Sequence, residues 1–221
     1  PPRSTLFPYT TLFRSRTTAP ELLALARVLE EAQIPYEVIC LYPPALRTDT
    51  VGLEKLREFP VLVMPEAECL SDTQIAALRS AMAAGAALVT SGPVGNLDEN
   101  RHSRDRGLEG GISIAAEIDA VLQAEKTDDP GRVAAIREAA RKLRQIPGAG
   151  LVRTEAPETL WVYLYSHRAG RRLALHLLNY DYIEGIVTPA RNVSCQVTLP
   201  EGFRPEICRL SSPDFADFDV R

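Results

Sequence analysis

Two side chains stand where a nucleophile could be held. The turn Thr90-Ser91-Gly92-Pro93-Val94-Gly95 follows an apolar run, and its glycines would ease the tight strand-to-helix bend that presents a nucleophile. Ser91 would attack only with an imidazole to take its proton. Of the three histidines, only His102 lies in this half of the chain, and no spacing brings it to Ser91. The plainer reading is a Gly/Ser turn that ends a strand. Cys69 also follows a strand and precedes a helix, the right order for a nucleophile. Its neighbours Glu68 and Leu70 are not glycines, and an adjacent carboxylate disfavours the thiolate. A buried or half-buried cysteine near a helix cap accounts for it.

The densest polar cluster is Asp98-Glu99-Asn100 with His102. Carboxylate and imidazole together could ligate a metal, but adjacent loop residues seldom all face one ion, so a solvated loop is the better reading. No metal site and no cofactor are expected, because neither a P-loop nor a GxGxxG is present. Glu155 and Glu158 sit singly in turns, and no two acids are spaced as a general acid and base. Asn192-Val193-Ser194 matches a glycosylation sequon, a weak pattern on its own. Trp161 and His176 fall inside strands and read as core or sheet-face residues.

The elements that must carry these residues divide by period. Pro20 begins a helical run, ELLALARVLEEAQ, and Tyr36–Tyr42 then reads as a strand ended by Pro43-Pro44. Val61 to Met64 is a continuous apolar run, expected as a parallel strand buried on both faces. Ser71-Asp72-Thr73-Gln74 is a capping-box pattern, and the helix it opens should stop at Gly85. AALVTSGPVG is then strand followed by a Gly-rich turn. Ligands of such sheets sit outside the carboxyl ends of the strands. That rim would carry Glu66, Ser91, Gly92 and Asn96, with Asp98 and Glu99 close behind. From Glu117 to Pro147 the pattern is helical, broken at Asp128-Asp129-Pro130-Gly131. Beyond Gly150 the period becomes two: Leu160 to Ser166, Arg172 to Asn179, Val193 to Leu199 and Pro205 to Leu210 read as strands.

These patterns predict an α/β fold, a parallel sheet with flanking helices, followed by a small antiparallel β-sandwich. The expected divisions are an α/β domain over 16–116, a helical connector over 117–149 and the sandwich over 150–221. Residues 1–15 stand apart. Leu6 to Ser15, LFPYTTLFRS, is similar to one reading frame of a widely used sequencing-library adapter, so this stretch is expected to be artefactual and the authentic N-terminus to lie upstream. The chain has 221 residues, 45% hydrophobic and 24% charged, with a net charge of −4. That balance argues against a nucleic-acid partner, and no apolar stretch reads as a membrane span. Cys40, Cys69, Cys195 and Cys208 show no CxxC spacing. Cys195 and Cys208 lie in neighbouring predicted strands and would pair if secreted; free thiols in a cytoplasmic protein are the simpler expectation.

The stretch LSDTQIAALRSAMAAGAALVTSGPVGNLDENRHSRDRGL resembles the middle, trimerisation domain of family 42 β-galactosidases, which has a class I glutamine-amidotransferase-like fold. LALHLLNYDYIEGIVTPARNVSCQVTLPEGFRPEICRLSSPD similarly resembles the C-terminal β-domain of such enzymes. The resemblance covers about Ala19 to Asp214 and departs between Glu109 and Gln145. In that family the amidotransferase-like domain has lost its catalytic cysteine, and Gly92-Pro93 at the elbow here agrees. The resemblance therefore implies a non-catalytic, homo-oligomerising region, with carbohydrate handled by a catalytic barrel upstream. The alternatives are a stand-alone amidotransferase-like hydrolase using Cys69 or Ser91, and a carbohydrate-binding module using Tyr163, Tyr165, Tyr180 and Tyr182.

Overall fold

A computed structural model describes residues 18–41, 51–124, 128–167, 172–184, 186–199, 202–212 and 215–220. The adapter-like segment lies outside them. Helix α1 (Thr18–Glu31) places Ala24, Leu25, Val28 and Leu29 on one buried stripe, as apolar residues at helical spacing require, and Ala32 just beyond its end continues it. Helix α2 (Val51–Lys55) runs into a short 3-10 turn (Leu56–Glu58), which leads to strand β1 (Val61–Met64). Strand β2 (Ala67–Cys69), helix α3 (Asp72–Ala83), strand β3 (Ala87–Thr90) and strand β4 (Val94–Leu97) follow. Strand β5 (Ile112–Ser113) precedes helices α4 (Ala115–Gln123) and α5 (Pro130–Arg144).

Strands β1, β3 and β5 form a parallel sheet in the order β1-β3-β5, with Val61 opposite Ala87 and Val89 opposite Ile112. Successive side chains on a strand point to opposite faces, and β3 shows the consequence. Leu88 joins a cluster with Leu62 and the α3 residues Ile75, Leu78 and Ala81, whereas Val89 joins one with α1, α4 and α5. The sheet is thus a layer between α3 on one side and three helices on the other. Ile118, Ile136, Ala139 and Leu143 pack with Val28 of α1, so the helical stretch expected as a connector shares the core of the sheet.

Helix ends follow the local chemistry. Ser71 Oγ accepts from the Gln74 N–H at 3.3 Å while the Ser71 N–H donates to Gln74 Oε1 at 2.9 Å, the reciprocal cap expected. Gly85, at φ +107, takes the chain out of α3. Asp129 caps α5 by accepting from the Arg132 N–H at 3.0 Å, ahead of Pro130.

Three expectations need correction. Tyr36–Leu41 enters no strand ladder; Tyr36 packs against the α1 cluster and Ile39 and Leu41 against the α3 cluster, so its apolar alternation serves packing without pairing. Without that neighbour, β1 is an edge of its sheet, and only Leu62 of its four residues is fully buried. The Gly-rich turn after β3 contains strand β4, paired in parallel with β2. Gly95 permits this at φ +67, where a Cβ would meet Ile75 Cδ1 at 2.3 Å.

The remainder is antiparallel. Strand β6 (Val152–Thr154) pairs with β11 (Cys195–Val197), and β7 (Leu160–His167) with β8 (Arg172–Asn179). Strands β9 (Tyr182–Ile183) and β10 (Ile186–Val187) make a short ladder, as do β12 (Cys208–Ser212) and β13 (Phe215–Val220). The strand expected over Val193 to Leu199 is trimmed to three residues. Among the described residues, the sheets are therefore mixed, parallel in the first half and antiparallel in the second. No described helix is long and apolar enough to cross a membrane.

Gln33, buried and at φ +57, ends α1 and ties it to the start of β7. Its amide Nε2 donates toward the carbonyls of Ala156, Pro157 and Leu160 at 3.3, 2.9 and 3.0 Å. Removing the donor strands buried carbonyls, so Gln33→Ala should lower unfolding stability by about 1–3 kcal/mol in a urea titration.

Candidate functional site at the carboxyl ends of the parallel strands

The order of strands and helices decides what meets at this rim. Glu66 lies between β1 and β2, half-buried, and Ser91 and Gly92 follow directly on β3. The Ser91 N–H donates to the Met64 carbonyl at 3.1 Å, which extends the β1–β3 register to the rim. A Cβ at Gly92 would stand 3.1 Å from Glu66 Cβ, so the glycine lets the two strand ends close together. Glu66, Ser91 and Gly92 accordingly lie together at this edge.

The other predicted rim residues are elsewhere. Asn96 is exposed on β4, and Cys69 is exposed at the end of β2. Asp98 belongs to a stapled loop: its Oδ1 accepts from the N–H groups of Asn100 and His102, both at 2.8 Å. Its Oδ2 lies 3.1 Å from His102 Nδ1, and Glu99 is exposed beside it. The backbone hydrogen bond from His102 is the largest influence holding Asp98 below the usual carboxylate range.

Two acids without any distinguishing sequence pattern bear on this edge. Glu21, half-buried in the first turns of α1, feels the charge of Glu66 and, more weakly, that of Asp119 on α4. Burial first, then the hydrogen bond and charge of Glu66, push the Glu21 carboxyl up. One Glu21 oxygen is buried with no hydrogen-bonding partner. The signal was absent because Glu21 looks like an ordinary acid at a helix N-terminus, where the macrodipole welcomes one.

This arrangement limits the chemistry. Ser91 is 7% exposed and its Oγ has no hydrogen-bonding partner, while His102 is engaged with Asp98. No described imidazole hydrogen-bonds Ser91 or Cys69, so nucleophile and base are not assembled. Among the described residues, no three His, Cys, Asp or Glu side chains converge on a metal-sized point.

The aromatic stripe of β7 is likewise occupied from within. Trp161 lies 3.8 Å from the Tyr180 ring, tilted by 34°, with the Arg27 guanidinium 5.4 Å from its centroid. Tyr165 meets His176 edge-on at 5.1 Å. Tyr163 is half-buried, and desolvation raises its phenol to about 12. Tyr36 donates to Glu30 at 3.1 Å in the same junction between α1 and β7. These rings are not coplanar, although Tyr165, Tyr180 and Tyr182 are exposed. Cys195 and Cys208 are free, on strands paired with β6 and β13 respectively.

Comparison with protein families gives no match, and none is found among curated proteins. Among solved structures, the chain is similar to α-L-fucosidase isoenzyme 2 from Paenibacillus thiaminolyticus, with a TM-score of 0.55 at 16% identity. The match covers 91% of this chain and 43% of that one, so the chain spans less than half the length of that protein. At this identity the likeness is one of fold, shared with a glycoside hydrolase.

The Asp98 loop yields a titration test. Followed by carboxyl NMR, Asp98 should titrate below an ordinary aspartate. In His102→Ala most of that depression should persist, because its main source is a backbone N–H.

Proposed function

We propose that the chain is a non-catalytic accessory and oligomerisation region of a glycoside-hydrolase-like protein, similar to the β-galactosidases, whose catalysis belongs to another domain. In this reading the sheet and its helices over 16–116 are an amidotransferase-like domain, 117–149 adds helices to it, and 150–221 is a β-sandwich. The observation that carries the proposal is a strand-end rim, in a fold shared with a glycoside hydrolase, where no nucleophile is paired with a base. Exposed apolar residues support the oligomerising part. Leu177, Leu178, Ile186, Val187, Ile207 and Leu210 are all exposed in the antiparallel half, and such surface is usually covered by another chain or domain.

The test combines solution mass with turnover. The chain should sediment as a multimer, Ile186→Asp should shift it toward monomer, and neither should hydrolyse nitrophenyl galactosides or fucosides. A monomer at all concentrations would remove the oligomerising role. Turnover abolished by Ser91→Ala or Cys69→Ala would instead establish the stand-alone hydrolase. Binding of galactose oligosaccharides abolished by Tyr182→Ala would favour a carbohydrate-binding module.

A further inference from the structure

The antiparallel half leaves one long strand edge open. Strand β8 pairs with β7 over all eight of its residues, from Leu160–Asn179 to His167–Arg172, without a register shift. Among the described residues this sheet holds only those two strands. The Tyr180 N–H donates to the Thr159 carbonyl at 2.8 Å, which fixes the alternation of the antiparallel pair. The backbone groups of Arg172, Ala174, His176 and Leu178 therefore point to β7, and those of Leu173, Leu175 and Leu177 point away from it. The same alternation turns the Leu160 carbonyl to the outer edge of β7, where the Gln33 amide meets it at 3.0 Å. Among the described residues, no group does the same for β8. The chain returning from β10 makes its last pairing at Thr188, whose N–H donates to the Asp181 carbonyl at 2.9 Å. Pro189 then has no N–H to carry a ladder onward.

Natural edges are guarded by short length, prolines, bulges or inward charges. Strand β8 has none of these. Leu-Ala-Leu-His-Leu-Leu follows its single fixed charge, Arg172, and Leu177 and Leu178 are 38% and 44% exposed. Such an edge is a template for another strand, and its charges indicate which one. Arg172 opens β8 and Asp181 lies two residues past its end; among the described residues neither side chain has an ion-pair partner. An antiparallel copy of the same strand sets the Arg172 end of each against the Asp181 end of the other. The outward-pointing residues, all leucines, then meet leucines. We propose that two copies of this chain join edge to edge through β8, making one continuous four-stranded sheet about a twofold axis. This rests on the oligomerising role proposed above and names its surface.

Sedimentation velocity over a dilution series, with amide hydrogen exchange followed by NMR, tests the edge. The chain should run as an even-numbered multimer. As it is concentrated, the amides of Leu173, Leu175 and Leu177 should become protected, while those of Ala174, His176 and Leu178 are protected at every concentration. Arg172→Glu sets like charges across the twofold axis and should raise the dissociation constant at least about fivefold, since each pair occurs twice. Adding Asp181→Arg should restore association, which a change in folding alone would not do. A chain that is monomeric throughout would overturn the edge and the oligomerising role together. A multimer that is odd-numbered, or whose Leu173, Leu175 and Leu177 amides exchange alike at all dilutions, would overturn the edge alone. So would an Arg172→Glu chain that associates as before.

Discussion

The fold depends on the burial of one helix. Helix α1 packs with α4 and α5 on one side of the sheet, and its Val28 is fully enclosed. Burying a side chain of that size contributes roughly 1.5–3 kcal/mol, and four more residues share the stripe. Polar contacts then fix the angle. Arg132 of α5 pairs with Glu31 at 2.6 Å in largely buried surroundings, and the Arg144 guanidinium donates to the Ala32 carbonyl at 2.6 Å. An ion pair so enclosed contributes little net stability against apolar substitutes, but breaking it is costly, so it specifies orientation. Gln33 carries the constraint onward to β7. The start of β7 is therefore tied to how α1 is seated.

The same seating explains why the rim is chemically quiet. With α1 fixed, Glu21 stands where burial first, and then Glu66, pushes its carboxyl up. The His102 loop folds away onto Asp98, supported by Arg104, which donates to the carbonyls of Leu70 and Leu97 at 2.6 and 2.7 Å. Ser91 is left inside the structure without a base.

What the sequence made legible was local. The Ser71–Gln74 cap depends on residues three apart, and the β8 boundaries, Arg172–Asn179, are read directly from alternation and turn residues. Of the rim, Glu66, Ser91 and Gly92 were legible because a strand end announces itself in the chain. Tyr36–Leu41 misled because its alternating apolar residues satisfy two clusters without a ladder, and composition does not distinguish packing from pairing. Strand β4 was hidden by its glycine, a turn signal that here permits a left-handed residue inside a strand. Glu21 and Asp119 were invisible for a different reason. Each is an unremarkable acid on a helix, and the influence of Glu66 and Asp119 on Glu21 arises only in the tertiary fold.

Among the described residues, the strand-end rim carries no nucleophile paired with a base. The most direct measurement is labelling of the chain with a fluorophosphonate probe at neutral pH, read by peptide mass spectrometry. A buried Ser91 hydroxyl without a base should remain unlabelled while the chain is folded. Stoichiometric labelling at Ser91, lost on Ser91→Ala, would instead place a working nucleophile on the rim.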